Sequence, residues 1–394
     1  MVGVGHAALI RSTGEHWFTG PEKRINDAAM REYVTLSWAH KGQDPNVIVQ
    51  KAGGTDIIDQ IMLSITPQAA WTDINTIDVG AMTETGINHK VDWRIAKRPL
   101  VVDDWVISHN RSANVTSGGG AQQFKNLAKQ AFQELETDFD NLQENAYWAP
   151  PNYVQMETGG TSGLLPMSIL AGINEHPNGL PSSIHAGGAW TQFQTVPSTA
   201  AGFSNYVPYQ KSYSNLTVND PDNLINALDY AFENLRIVPP PTKQEYFEPE
   251  SGAGPPFVWF TDIKGKVRLK ALCRASNDKW EDPTDAYFGA PTFGGSPFLC
   301  PVPLETVVAF PTGAANIHGT MQATAGNKGG SRYFGVNFKY FKTIYDADWF
   351  MKMLDTGRED GRATRQTMWY YLGLNNFNLS RKRHACIYPS QNIA

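Results

Sequence analysis

The acidic pairs of this sequence are the residues whose type and spacing could do chemistry. Asp103-Asp104 and Glu134/Glu136 would supply the two carboxyl groups that glycoside hydrolysis needs, one as acid and the other as base or nucleophile. The first pair follows a predicted strand and the second lies on a predicted long helix, where neighbouring acidic side chains are usually solvated. Neither pair therefore predicts a catalytic site.

Other catalytic and cofactor motifs are missing from the sequence. GGTSG (159–163) lacks the lysine of a phosphate-binding loop, and its serine is followed at once by glycine, which breaks the nucleophile-elbow spacing. The nine histidines are scattered, and the three cysteines have no CxxC or metal-ligand spacing. The chain is therefore expected not to be an enzyme and to bind no cofactor and no metal.

The only dense basic cluster that the sequence pattern indicates is RKRH (381–384), which contains Arg381 and Arg383. It fits a solvated or interface strand, and a contact with a polyanion is the alternative. The whole chain carries 33 basic and 38 acidic residues, a net charge of −5, so it has no general electrostatic footprint for a polyanion. Only 18% of the residues are charged, which surface buried against neighbours would explain, as would a loop-rich polar chain.

The sequence shows no sign of a membrane or secretory protein. A membrane-spanning helix needs about 18 consecutive apolar residues, and no run approaches that length. The first residues, MVGVGHAALIRSTGEHW, lack the basic-then-apolar layout of a signal peptide. An odd number of cysteines suits a reducing compartment. We therefore expect a soluble intracellular product.

The N-terminal part of the chain has the pattern of an extended arm followed by a β-ribbon. Within the polar residues 1–46, Ile25, Ala29, Tyr33 and Leu36 recur at helical spacing and predict one short helix. The ribbon is predicted from two segments, 73–80 and 86–99, that flank the polar loop AMTET. The second segment alternates apolar and polar residues, the period of a strand with two different faces. Because a two-stranded ribbon is marginal alone in water, it is expected to lie on its own domain or on another subunit.

A long amphipathic helix is predicted over 124–151, between Gly118–Gly120 and Pro150-Pro151. At 1.5 Å per residue it would be about 42 Å long. Its apolar stripe consists of Phe124, Leu127, Ala128, Ala131, Phe132, Leu135, Phe139 and Leu142.

The charges of this helix run against the helix dipole, which prefers acidic residues near the N-terminus. Basic residues lie early and acidic residues late: Lys125, Lys129, Glu134, Glu136, Asp138, Asp140 and Glu144. Two explanations stay open. The charges are solvated, or they meet complementary charges on a neighbour.

From 152 to about 330 the chain is rich in glycine, proline, serine and threonine, with short predicted strands. One helix is predicted there, with Asp220 as N-cap and Pro221 in its first turn. The other predicted elements are a buried strand and turn over 256–265, a strand over 332–345, a short helix over 346–357 closed by its glycine, and a strand over 367–374.

This order of parts resembles the major capsid protein of tailed double-stranded DNA phages, with the Hong Kong phage-type capsid fold. The resemblance covers about residues 45 to 390. It is carried by the helix end ELETDFDNLQENAYWAPP (134–151), by GGTSGLLPMSILAGINEHPNGLP (159–181), by SNLTVNDPDNLINALDYAFENL (214–235) and by SRYFGVNFKYFKTIYDADWF (331–350).

The resemblance implies an α+β fold made of five parts. They are an N-terminal arm (1–46), an extended β-ribbon loop with flanking strands (47–110), a peripheral domain with its spine helix (111–151), an axial domain (152–330), and returning peripheral and axial strands with a short helix (331–394).

The resemblance also implies a function and partners. Copies of the chain would self-assemble as hexamers and pentamers into an icosahedral virion shell, built in the host cytoplasm, around double-stranded DNA that is not bound sequence-specifically. A separate scaffolding protein, a portal and decoration proteins would be further partners. Candidate subunit-interface residues are Val91, Trp93, Arg94, Ile95, Lys97, Lys125, Lys129, Glu136, Asp140, Arg381 and Arg383.

Three other functions stay open on the sequence. An encapsulin-type nanocompartment shell would share the fold and enclose a protein cargo. A carbohydrate-active enzyme or sugar-binding protein would use Trp71, Trp93, Trp105 or Trp190 as stacking platforms. A tail-tube or other virion protein is the fourth class, and the long helix argues against it.

Overall fold

The computed structural model has an α+β architecture of mixed sheets packed with helices. It describes residues 33–41, 50–51, 54, 56–62, 86–103, 119–148, 166, 168–169, 192–193, 196–197, 199, 208–214, 223–235, 257–276, 292–293, 296–305, 331–338, 341–355, 365–378 and 384–389.

Five helices occur in these residues: α1 (Val34–Lys41), α2 (Gly119–Tyr147), α3 (Leu224–Leu235), α4 (Ile263–Ser276) and α5 (Val302–Glu305). The strands are β1 (Gln50–Lys51), β2 (Asp56–Met62), β3 (Gly86–Asp92), β4 (Arg94–Asp103), β5 (Gln192–Phe193), β6 (Val196–Pro197), β7 (Tyr209–Tyr213), β8 (Phe257–Phe260), β9 (Thr292–Phe293), β10 (Ser296–Leu299), β11 (Tyr333–Asn337), β12 (Phe341–Asp346), β13 (Lys352–Asp355), β14 (Arg365–Asn378) and β15 (His384–Pro389).

A five-stranded sheet is organised around the long strand β14. One edge of β14 pairs antiparallel with β4, and its other edge pairs first with β13 and then with β12, while β1 adds to β12 in parallel. The C-terminal half of α2 lies against this sheet. The Tyr147 hydroxyl is 2.6 Å from Thr343 Oγ1, and the Tyr345 hydroxyl donates to Gln143 Oε1 at 3.3 Å. These buried contacts fix the end of the long helix on β12.

A six-stranded sheet, in the order β7-β15-β11-β8-β10-β9, has both of its faces buried. On β8, Val258 and Phe260 point to one face and Trp259 to the other, because neighbouring side chains of a strand alternate. The Trp259 face is covered by α3 and α4. The Val258 face is covered by α1 and by the end of α2. The sheet is therefore the middle of three layers.

The two sheets share a hydrophobic core at the end of the long helix. Trp148 is 1% exposed and makes edge-to-face contacts with Phe260 and Phe334, at ring-centroid distances of 5.2 and 5.5 Å. Tyr147 lies 5.9 Å from Phe341, which begins β12 of the other sheet. Such large buried rings contribute most of the transfer free energy of a core. The sequence ending YW therefore joins the long helix to both sheets.

The predicted long helix is confirmed, but it spans Gly119–Tyr147 instead of 124–151, so Gly119 and Gly120 belong to its first turn. The C-terminal end of its buried stripe also differs from the prediction. Phe132, Leu135 and Phe139 are buried as predicted, but Leu142 is 39% exposed. The buried residue in the next turn after Phe139 is Gln143, four positions on, and not Leu142, three positions on. With 3.6 residues per turn, the residue that faces the core in successive turns is three or four positions further along the chain.

The predicted short helix over 346–357 is wrong. The Asp346 carboxylate accepts the amide hydrogen of Asp348 at 2.9 Å, which starts a turn. Met351, at φ 49°, takes a left-handed conformation that a helix does not allow. The chain then enters β13, which pairs with β14, so sheet pairing overrides the helical pattern.

The predicted strand over 332–345 is two strands. β11 belongs to the six-stranded sheet and β12 to the five-stranded sheet, with Phe338 and Phe341 both buried between them. All residues of β11 are buried, so their alternation marks two apolar layers rather than an inside and an outside.

The turn predicted at the end of 256–265 is the start of helix α4, which the sequence interpretation missed. The Asp262 carboxylate caps this helix by accepting the amide hydrogen of Gly265 at 2.9 Å. Helix α3 is confirmed, but its cap is Asn223, whose side chain accepts the Asn226 amide at 2.7 Å, and not the predicted Asp220. In the arm, α1 includes Leu36 but begins at Val34, and Ile25 and Ala29 lie outside the described residues.

Candidate assembly surfaces

The predicted ribbon is a hairpin of β2 and β3 that is anchored at its base. Register runs from Asp56 opposite Asp92 to Met62 opposite Gly86. The predicted partner segment 73–80 lies outside the described residues. Within the described residues, 86–92 pairs with β2. Ile57 and Val91 are 0% exposed and pack with Ile344 of β12. One face of the hairpin therefore rests on the five-stranded sheet.

The strand predicted over 86–99 changes sheets at Trp93. Up to that residue the chain pairs with β2, and from Arg94 onward β4 pairs with β14. The change reverses which positions face inward, since Val91 is buried whereas Ile95 is 53% exposed. In β4 the odd positions 95, 97 and 99 are exposed, and Leu100 is buried.

The five candidate residues of this segment therefore have different environments. Val91 is inside the chain's own core, which corrects its prediction as a contact residue. Trp93 is half-buried against the Ile57–Val91 cluster, and Arg94 is half-buried beside Asp92. Ile95 and Lys97 are exposed on the same face of β4. Of the five, Ile95 is therefore the exposed apolar candidate.

Acidic residues face each other at the base of the hairpin. Asp56 and Asp92 are directly opposite across the strands, and Lys90 Nζ binds Asp56 at 2.8 Å. Burial, followed by a hydrogen bond with and repulsion from Asp56, raises the pKa of Asp92, while Lys90 and Arg94 oppose the rise. The hairpin base is therefore a small charged cluster beside the exposed Ile58.

The acidic end of α2 is explained in part by contacts within the chain. Glu144 is 2% exposed, and its two carboxylate oxygens accept the amide hydrogens of Thr35 at 3.1 Å and Leu36 at 2.8 Å. These amides belong to the first turn of α1, which has Tyr33 at its start and no capping side chain of its own. Burial raises the pKa of Glu144, and the Thr35 and Leu36 hydrogen bonds oppose that rise.

A second acidic residue of α2 has a partner in its own chain, in this case a cation. Asp138 lies 2.9 Å from Arg98 Nε on β4. Of the four candidates on α2, Glu136 and Asp140 are half-buried. Burial, and after it the charge of Asp140, raises the pKa of Tyr33. Lys125 and Lys129 lie in the helical backbone, and their side chains lie outside the described set. Arg381 and Arg383 also lie outside the described residues.

Helix α4 carries a basic surface that the sequence interpretation overlooked when it singled out 381–384. Its 14 residues include no acidic side chain. The basic residues are Lys264, Lys266, Arg268, Lys270 and Arg274. The signal was present in the spacing IKGKVRLK, but the glycine made the segment resemble a turn.

Within the described residues, no group of three or more metal-ligating side chains could hold a metal ion. Of the two acidic pairs, Asp103 ends β4 while Asp104 lies outside the described residues, and Glu134 is exposed on α2 beside the half-buried Glu136. No helix in the described part of the chain is both long and apolar enough to cross a membrane.

The two mixed sheets and the long helix define a fold of the capsid-protein class. The capsid of a native GTA particle is similar with a TM-score of 0.50 and 8% identity, over 95% of this chain and 96% of that chain. The capsid of an empty GTA particle gives 0.50 and 9% over the same shares. The capsid asymmetric unit of cyanophage A-1(L) gives 0.51 and 12%, over 93% and 95%. These likenesses show the fold, and the α+β capsid fold expected from the sequence is confirmed.

No protein-family model and no curated protein matches the sequence.

Proposed function

We propose that the chain is the structural subunit of an icosahedral phage capsid, which self-assembles as hexamers and pentamers around double-stranded DNA. The observation that carries the proposal is the capsid-protein fold, matched over 93% or more of both chains in each of the three structures. In this proposal the chain is no enzyme and binds no cofactor. Its partners are further copies of itself, a scaffolding protein, a portal and decoration proteins, first in the host cytoplasm and then in the virion.

Each part of the chain has a role in this proposal. The arm (1–46) reaches over neighbours, and the ribbon region (47–110) lies across an adjacent subunit. The spine region (111–151) stiffens the peripheral domain, the axial domain (152–330) lines the centre of each pentamer and hexamer, and 331–394 returns through both. The exposed Ile58, at 53%, and Ile95, at 53%, support the second role, because large apolar side chains left in water favour burial against a partner.

Negative-stain electron microscopy of the recombinant protein, with light scattering of the same sample, tests the proposal. Closed icosahedral particles, or rings of five and six, are the expected result. Duplex DNA inside particles isolated from virus-producing cells would support the phage shell, whereas a protein cargo would favour a nanocompartment. Saturable oligosaccharide binding or glycoside turnover by a monomeric chain would contradict both.

Deletion of residues 63–85, the segment between the two strands of the hairpin, tests the role of the ribbon region. Because Met62 and Gly86 are direct cross-strand partners, an Asn-Gly pair can replace residues 63–85 as a two-residue turn. The anchors Ile57 and Val91 are kept, so the subunit should fold and fail to form closed shells. Normal shells from this variant would refute the assigned role. The matched control inserts Gly-Ser in the middle of 63–85 and leaves the ribbon in place.

A further inference from the structure

Two helices on the same side of the six-stranded sheet present exposed faces of opposite charge. Helix α3 buries Leu224, Ala227, Leu228 and Ala231, and α4 buries Leu269 and Leu272, all in one hydrophobic cluster. Since each helix packs one stripe into the core, its opposite stripe faces outward. The two outward stripes differ in both charge and apolar content.

The outward stripe of α3 is acidic and aromatic. Asp229, Tyr230 and Glu233 are exposed, with Tyr230 at 59%. Burial, and after it repulsion from Glu233, raises the pKa of Asp229. Lys211 lies 5.4 Å from the centre of the Tyr230 ring, so this surface already accommodates one cationic side chain. A second cation brought by a partner would relieve the repulsion between the two carboxylates.

The outward stripe of α4 has the complementary composition. Ile263 and Val267, one turn apart, are 48% and 60% exposed and form a short apolar ridge. Lys264, which is exposed, borders one side of this ridge, and Lys266, which is half-buried, borders the other side. Apolar contacts bordered by charged side chains are the usual make-up of a protein interface, with an apolar centre and a polar rim.

The helix α4 is held firmly enough to present this ridge. Its turn at Gly265 fits against Thr261 and Ser331, where an added Cβ would lie 2.7 Å from Ser331 Cβ. The Tyr333 hydroxyl donates to the Gly265 carbonyl at 3.1 Å. A rigid surface loses little conformational entropy when a partner binds.

We propose that the acidic face of α3 (Asp229, Tyr230 and Glu233) binds the basic face of α4 (Ile263, Lys264, Lys266 and Val267) of a second copy of this chain. Tyr230 covers the Ile263–Val267 ridge, and the two carboxylates, which lie one turn apart on one side of Tyr230, meet the lysine on the side of the ridge that they face. The inference rests on the proposed function in one respect, because the second copy is the neighbour in a shell. Each copy offers both faces, so the contact can repeat from copy to copy.

Charge reversal on each face tests the inference. The acid-reversed chain carries Asp229→Lys and Glu233→Lys, and the base-reversed chain carries Lys264→Glu and Lys266→Glu. The quadruple variant carries all four changes and keeps the net charge of the wild type, so it is the matched control for charge. Far-UV circular dichroism first establishes that every variant is folded. Sedimentation velocity over a concentration series and negative-stain microscopy then measure association.

Each single-face variant should weaken self-association by roughly tenfold or more, because like charges would face each other. The quadruple variant should recover it. Unchanged association of both single-face variants overturns this inference and leaves the shell proposal standing. A wild type that stays monomeric at the highest soluble concentration also overturns it. The same is true if base reversal leaves association unchanged and abolishes retention on duplex DNA, which would assign α4 to a polyanion.

Discussion

At the residue scale, Glu144 shows why an acidic residue lies where the dipole of its own helix disfavours it. It lies in the last turn of α2, where a negative charge costs about 0.3–1 kcal/mol when exposed. The same carboxylate lies at the N-terminus of α1, where the dipole of α1 favours a negative charge and two first-turn amides donate hydrogen bonds to it. Trp148 completes the site by donating its indole N–H to the Thr35 hydroxyl at 2.8 Å. The acid is therefore placed for the neighbouring helix and not for its own.

Glu144→Ala is expected to destabilise the folded chain and to loosen α1. It leaves the buried amides of Thr35 and Leu36 without an acceptor, at about 1–3 kcal/mol for each donor. The midpoint of urea unfolding should fall, and hydrogen exchange should accelerate in the peptide that contains α1. Asp138→Ala is the control on the same helix, because Asp138 is exposed and its ion pair with the half-buried Arg98 is expected to contribute about 0.2–1 kcal/mol. Equal losses from the two variants would contradict the capping role.

The raised pKa of Asp92 determines how this residue makes the stability of the folded chain depend on pH. Its pKa is raised in the folded chain, so folding favours the protonated form, and that stabilisation is lost as the pH rises through the raised pKa. Asp92→Asn removes the charge that faces Asp56. The variant should match the wild type at low pH and have a higher thermal midpoint above the pKa of Asp92.

Asp92→Asn should raise the free energy of unfolding at neutral pH by about 0.2–1 kcal/mol, the range for a cross-strand pair. Asp56→Asn is the comparison, because it removes the same repulsion but also the 2.8 Å ion pair with Lys90, and should gain less. A midpoint of Asp92→Asn that stays at or below that of the wild type at neutral pH would show that the repulsion is negligible.

At the element scale, Gly265 decides whether α4 can pack. An added Cβ would overlap Thr261 Oγ1 and lie 2.7 Å from both Asp262 Oδ1 and Ser331 Cβ. Thr261 is buried and donates to the Arg332 carbonyl at 2.8 Å, so it has little room to move. Gly265→Ala is therefore expected to cost about 1–3 kcal/mol in thermal or urea unfolding, although alanine is the better helix former. Lys264→Ala, one residue earlier and exposed, should stay within about 0.5 kcal/mol.

Elements with one strong local signal were predictable from the sequence. Helix α2 has a periodic stripe over many turns and a proline stop, and α3 has a short stripe that one buried face explains. The strand predicted over 367–374 lies within β14, which pairs with three other strands of its sheet. In each case the local pattern and the tertiary packing favour the same structure.

Elements set by long-range partners were not predictable. The segment 352–355 is a strand because β14 lies beside it, and 86–99 divides at Trp93 because two different sheets take its halves. The environments of the candidate residues were not predictable for the same reason. Val91 and Ile95 both belong to the apolar positions of the alternating pattern, yet Val91 is buried and Ile95 is exposed. The role of Glu144 depends on its contact with Leu36 of α1, which is 108 residues away along the chain.

At the scale of the whole molecule, a series of contacts connects the β2–β3 hairpin to the hydrophobic core. The hairpin rests on β12 through Ile344, β12 holds the end of α2 through Thr343, and Trp148 joins α2 to the six-stranded sheet. In this arrangement packed side chains connect the hairpin to both sheets without a break.

The paired charge faces of α3 and α4 predict a parity effect in assembly. In a mixture of acid-reversed and base-reversed chains, each junction is attractive only between unlike chains, since reversed acids then meet reversed bases and native acids meet native bases. A ring that alternates the two chains closes with six members, whereas a ring of five leaves one junction between like chains. We therefore expect hexamers, or open sheets of them, and no closed shells from the mixture, because icosahedral closure needs pentamers. Negative-stain images with class averaging count the ring symmetry. Equal numbers of five-membered and six-membered rings would show that these two faces do not meet at the junction between neighbours.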